Sequence, residues 1–234
     1  MNLGDHLIEQ TDAFADLVKD ANPDARVPTC PDWSLRVLVA HMGQAPRWAA
    51  GIVRTRAAAA IPDPTEADPG PQREWPEWLH AGATDLVKSV ADDPDVEVWT
   101  VVGPRPASFW LRRILCDLVV HRADAAFTAG KPYDVAPELA AEAISEGLRL
   151  FEETHAQPGT GETLLVRPND AAPWRITLTP DGMTAERGGD AADVVVSGPA
   201  RDLLLAFTRR IPPAAVTVSG DHALLERWLA NIGL

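Results

Sequence analysis

The chain has 234 residues, enough for one large domain or two modest ones, and 46% of them are hydrophobic, which suffices for a packed core and excludes global disorder. Against 34 Asp and Glu stand 21 Lys and Arg, and the resulting formal charge of −13 repels phosphate backbones and anionic lipid, so neither nucleic acid nor membrane is expected as a partner. Cys30 and Cys116 are too few for a disulfide framework and the N-terminus lacks the regions of a signal peptide, so a soluble cytoplasmic protein is expected.

The first half reads as helices. Leu3, Leu7, Ile8, Phe14, Leu17 and Val18 follow helical spacing. Asn22-Pro23 and Pro28 break the pattern, and a second helix is expected to start at Asp32 or Ser34, both good N-cap types. It carries Leu35, Leu38, Val39, Met42, Trp48, Ile52 and Val53, with a kink or break expected at Pro46. A Pro- and acid-rich loop covers 61–76. A third helix is expected over 77–91 and a fourth over 108–129, with Gly130 as its terminator. A fifth starts at Pro137 and runs to about His155.

The pattern then changes. Pro158-Gly159 interrupts the helical spacing, and strands are expected only after it: 163–167, 174–179, 183–187 and 193–197. A helix carrying Leu203, Leu204, Leu205 and Phe207 follows, then a strand over 215–219 and a last helix capped by Asp221. The organisation expected is α+β, with a helical bundle over 1–157 and a small α/β domain over 162–234.

One constellation could carry chemistry. Asp117 and His121 are four residues apart on the fourth helix, so both lie on one face, about a turn apart. Their surroundings, Ile114-Leu115-Cys116 and Leu118-Val119-Val120, are apolar, and a lone carboxylate is costly to bury there. A shared metal ion, a structural Asp–His hydrogen bond and an ion pair all satisfy the spacing. His41 lies in a comparable run, Leu38-Val39-Ala40-His41-Met42, and could converge with them in a bundle interior. Three protein ligands leave coordination positions open, as in catalytic sites. Asp124 is either an outer partner of His121 or an exposed helix charge, the simpler reading. Trp33, Trp48, Trp110 and Trp228 read as packing residues. Cys30 and Cys116 carry no sign of activation, and His6, His80, His155 and His222 read as surface residues.

The run Thr29 to Gly43, TCPDWSLRVLVAHMG, followed by His121-Arg122-Ala123-Asp124-Ala125 with an acid four residues before the His, resembles the mycothiol-dependent maleylpyruvate isomerase family. Asp193-Val194-Val195-Val196-Ser197-Gly198 and Gly220-Asp221 are similar to that family's second domain. The resemblance implies a DinB-like up-down bundle holding a divalent metal, zinc in the first instance, on His41, Asp117 and His121. It implies mycothiol as cosubstrate, a small electrophilic substrate, and thiol-assisted cis–trans isomerisation or S-transfer. The family commonly has Glu at the acidic position, where this chain has the shorter Asp117. It also uses an arginine of the second domain, for which Arg210 is the nearest match, with Arg209 beside it. A metal-containing binding module for a small apolar ligand and a metal-dependent hydrolase are the alternatives.

Overall fold

The structure is a computed structural model that describes residues 1–154 and 158–232. His155 and residue 157, the expected ends of the fifth helix and of the first domain, lie outside the described residues.

The helices begin where side chains satisfy their free amides. α1 (Leu3–Val18) starts after Asn2, whose side chain accepts from the Gly4 and Asp5 amides. α2 (Leu35–Thr55) starts after Ser34, whose Oγ accepts from Val37 N, as one of the two expected caps. α3 (Trp75–Ala91) starts two residues earlier than expected, with Pro76 in its first turn. α4 (Ser108–Thr128) stops where Gly130 takes φ +63°, a conformation open to glycine, and Lys131 N closes the end onto Ala126 O. α1 packs on α3 and α4, and α2 packs on the same two. Leu7, Phe14, Leu35, Leu38, Ile52, Trp75, Leu79, Leu86, Trp110 and Leu115 form a core that solvent does not reach.

Two expectations for this half are corrected. α2 runs as one helix through Pro46, which is buried within it, so the expected break does not occur; α3 and α4 pack against the helix that has lost this hydrogen bond. Strands also occur before residue 150, as two short antiparallel ribbons: β1 (Arg26–Val27) with β2 (Cys30–Ser34), and β3 (Glu97–Val98) with β4 (Arg105–Pro106). Both lie in stretches whose Pro content masks any alternation, and pairing is how these backbones satisfy their polar groups.

The later elements are α5 (Pro137–Thr154), β5 (Thr163–Pro168), β6 (Trp174–Thr179), β7 (Gly182–Arg187), β8 (Val194–Gly198), α6 (Ala200–Phe207), β9 (Thr217–Gly220) and α7 (His222–Asn231). The strands form one sheet in the order β7-β6-β5-β8-β9, parallel only between β5 and β8. Leu164, Leu165, Val166, Ile176, Val194 and Val196 are buried in it, and Asp221 caps α7 by accepting from Leu224 N.

By its contacts the chain divides into Met1–Tyr133 and Asp134–Leu234. This differs from the boundary expected after residue 157. α5 packs along α6 and against β7, and Ala185 N of β7 donates to the Glu152 carboxylate. Helical periodicity groups α5 with the other helices, but periodicity records that a face is apolar, not which partner covers it. No described helix is long and apolar enough to cross a membrane.

Candidate functional site

α2 and α4 each contribute to one cluster in the first unit. His41 sits in the second turn of α2, and Asp117 and His121 sit on one face of α4. The ligand atoms of these three side chains all lie within 4.8 Å of one another. His41 Nε2 is 3.2 Å from Asp117 Oδ2, and the two imidazole rings meet edge to face with centroids 5.0 Å apart. The side chains of His41 and Asp117 are 26% and 20% exposed, so the cluster is sheltered without being sealed from solvent. Ligands about 2.0–2.1 Å from a tetrahedral zinc stand about 3.3 Å apart. The His41–Asp117 separation already matches that spacing, and no two ligand atoms of the set lie more than 4.8 Å apart. Two imidazoles and one carboxylate are also donors of the kind zinc takes. Asp117 therefore reaches the cluster despite its short side chain.

The carboxylate of Asp117 is held from two sides. Arg113, one turn earlier on α4, donates from Nη2 to Oδ1 at 2.6 Å, leaving Oδ2 toward His41. Burial alone would push this carboxyl up. The Arg113 charge, the hydrogen bond with His41 and the charges of both imidazoles outweigh burial and hold it well below the usual carboxylate range. Asp117 is thus a carboxylate, the form a cation needs, across the neutral and mildly acidic range.

A second layer surrounds His121. Its Nδ1 lies 2.8 Å from Oδ2 of Asp124, three residues on. Asp124 is fully buried, which overturns its reading as an exposed helix charge. Thr29 Oγ1 donates to Asp124 Oδ1 at 2.6 Å, and Cys30 Sγ donates to Oδ2 at 3.8 Å. Cys30, His121 and Asp124 thereby form a second group of metal-compatible residues that shares His121 with the first. Trp33, on β2, lies over both imidazoles, with ring centroids 5.2 Å from His41 and 5.8 Å from His121, nearly parallel to the latter. Its reading as a packing residue is too narrow, since its ring forms a wall of the site. Trp110 and Trp228, by contrast, are buried as expected.

Sequence reasoning brought forward His41, Asp117 and His121 and missed Arg113 and Trp33. The four-residue spacing of Arg113 and Asp117 was a usable signal for the first. Nothing local marks Trp33, because its place depends on how the β1–β2 ribbon folds over α2 and α4. Arg210 belongs to the second unit. It lies just beyond the end of α6, and its Nη1 donates to Thr208 O at 2.7 Å. Arg209, beside it, takes φ +59° and donates from Nη2 to Leu229 O.

Comparison with known proteins bears on the whole arrangement. Residues 5–126 match the family model described as mycothiol maleylpyruvate isomerase N-terminal domain, and residues 138–227 match the one described as MDMPI C-terminal domain. No curated protein matches the chain. Among solved structures, the crystal structure of the mycothiol-dependent maleylpyruvate isomerase aligns at 15% identity with a TM-score of 0.63, covering 94% of this chain and 93% of that one. A histidine-to-alanine mutant of that enzyme aligns at 14% identity with the same score and coverage. At such identities the likeness is one of fold, and the two family models carry the assignment: the chain belongs to the mycothiol maleylpyruvate isomerase family.

Proposed function

We propose that the chain is a metal- and mycothiol-dependent enzyme, an isomerase or S-transferase of small electrophilic substrates, with His41, Asp117 and His121 as the metal ligands. The observation that carries the reading is the convergence of these three side chains, drawn from two helices and sheltered from bulk water. A divalent ion such as zinc, when bound there, would stabilise the thiolate of a cosubstrate at neutral pH.

The chain's own residues would do the rest. His41 and His121 offer neutral nitrogens, Asp117 offers Oδ2, and Arg113 keeps Asp117 ionised and oriented. Trp33 gives the site an apolar wall that excludes water from one side. In an isomerisation, thiolate addition forms one C–S bond on an activated alkene and a proton goes to the neighbouring carbon. Rotation about the new single bond and loss of the same proton and thiolate return the thiol and the isomerised alkene. In a transferase a leaving group departs instead and the C–S bond stays. Arg210, in the second unit, is the residue we propose as a carboxylate-recognising group, since a guanidinium pairs well with a carboxylate.

The test is turnover by zinc-loaded protein with mycothiol, using maleylpyruvate and a panel of alkyl and epoxide electrophiles. We expect thiol-dependent turnover that falls at least about 100-fold in His121→Ala, with the helical circular dichroism unchanged. Tight zinc binding with no thiol-dependent turnover would favour a binding module. Turnover that needs metal but no thiol would favour a hydrolase.

A further inference from the structure

Asp124 is the one acidic side chain of α4 that solvent does not touch at all. An isolated carboxylate in such a place costs several kcal/mol, so its partners decide whether it can stay. Those partners come from two directions. His121 Nδ1 approaches from α4 at 2.8 Å, and Thr29 Oγ1, in the turn between β1 and β2, and Cys30 Sγ, at the start of β2, approach from the ribbon. An ionised Asp124 only accepts hydrogen bonds, and with it the His121 contact places the proton on Nδ1. That leaves Nε2 with its lone pair as the ring nitrogen free to bind a cation. The ribbon contributes at both ends of one short stretch, because Thr29 holds Asp124 while Trp33 stacks on His121. The imidazole is therefore fixed in tautomer by Asp124 and in tilt by Trp33.

We infer that Asp124, anchored by Thr29, is a positioning residue that sets the tautomer and orientation of His121. The inference rests on the proposed role of His121 as a ligand, but its physical content is separate: a Thr29–Asp124–His121 chain, buried at Asp124 and His121, runs from the β1–β2 turn into the site. It also gives Cys30 a role other than nucleophile, as a thiol whose proton faces the same carboxylate.

Two measurements test this on the full chain. The first needs no metal. Nitrogen-15 spectra of the metal-free protein, at a pH that keeps the imidazole neutral, should show His121 as the Nδ1–H tautomer. The second is zinc affinity, measured with the ion alone by competition against a chromophoric chelator. Asp124→Asn should bind zinc about 10–100-fold more weakly, the usual effect of removing a carboxylate behind a ligating imidazole. Thr29→Val, which removes the anchor and keeps the shape, should weaken it several-fold in the same direction. An Nε2–H tautomer in the wild type overturns the inference, and so does a folded Asp124→Asn that keeps wild-type affinity. Should Asp124→Asn fail to fold, the wild-type tautomer and Thr29→Val decide: Nδ1–H with weakened zinc binding supports the chain, and Nε2–H or unchanged affinity overturns it. If the wild type binds no zinc, the proposed metal function fails, while the tautomer still confirms or overturns the Asp124 chain.

Discussion

At the scale of single residues, Arg113 decides the state of the site. Asp117 is sheltered, and burial favours its neutral acid, yet the charge one turn away on the same helix reverses the balance. A carboxyl with a depressed folded-state pKa stabilises the fold at pH values above its unfolded value of about 3.9. That stabilisation is lost as pH falls through the folded-state value. Arg113→Gln removes the largest opposing charge and leaves the burial. The carboxyl then rises toward its usual range, and acid unfolding should move to higher pH. At neutral pH the loss should be about 1–3 kcal/mol, below the figure for a fully buried pair because both side chains are about one-fifth exposed. Urea denaturation at neutral pH and near pH 4 checks both effects. Equal stability of variant and wild type at both would mean that Arg113 is an ordinary surface charge.

At the scale of elements, α2, which carries His41, approaches α3 very closely. Gly43, two residues after His41, faces the Trp78 ring so tightly that a Cβ there would stand 1.9 Å from Trp78 Cζ3. The ring has little freedom to yield, because the Arg47 guanidinium lies 4.6 Å from its centre. Arg47 in turn donates to both Gly43 O and Trp78 O. Gly43→Ala should therefore destabilise by about 1–3 kcal/mol through overpacking. Gly51 is the internal control: it lies in the same helix, and a Cβ there meets nothing within 4 Å. Gly51→Ala should stabilise by about 0.5–1 kcal/mol, since only the backbone entropy of glycine is removed. Opposite signs in urea titrations of the two variants are the expected outcome, and two equal effects would show that the close approach carries no energy. The same elements show what could be read from sequence. The helices were legible because apolar spacing and capping residues act locally, as at Ser34 and Gly130. The three metal-compatible residues were legible because polar groups in apolar runs need partners. The unbroken passage of α2 through Pro46 and the ribbon that carries Trp33 over the histidines were not legible, since both depend on contacts with residues distant in sequence.

At the scale of the whole molecule, the contacts of α5 decide which half it belongs to. Its sequence is an amphipathic helix and fits a bundle, yet it packs along α6 and against β7. The second family match also begins at residue 138, at the start of this helix. We propose that α5 is an integral part of the second unit, and the energetics make that testable. Leu139, Ile144, Leu148 and Phe151 are each at most 5% exposed. Full burial of such side chains is worth about 1.5–3 kcal/mol apiece, an upper estimate because unfolded chains already bury part of that surface. Even discounted by a third, four of them amount to about 4–8 kcal/mol, comparable to the whole stability of a small domain at about 5–15 kcal/mol. A polypeptide of residues 134–234 should therefore unfold in one cooperative urea transition. One of residues 158–234 keeps every strand of the five-stranded sheet but loses the helix covering α6 and β7, and it should show no cooperative transition. Near-ultraviolet circular dichroism of Trp174 and Trp228 gives the readout, since both indoles are buried in the second unit. If the shorter piece unfolds as cooperatively and at the same midpoint as the longer one, α5 is dispensable to the sheet, and the boundary read from helical periodicity is the better division of the chain.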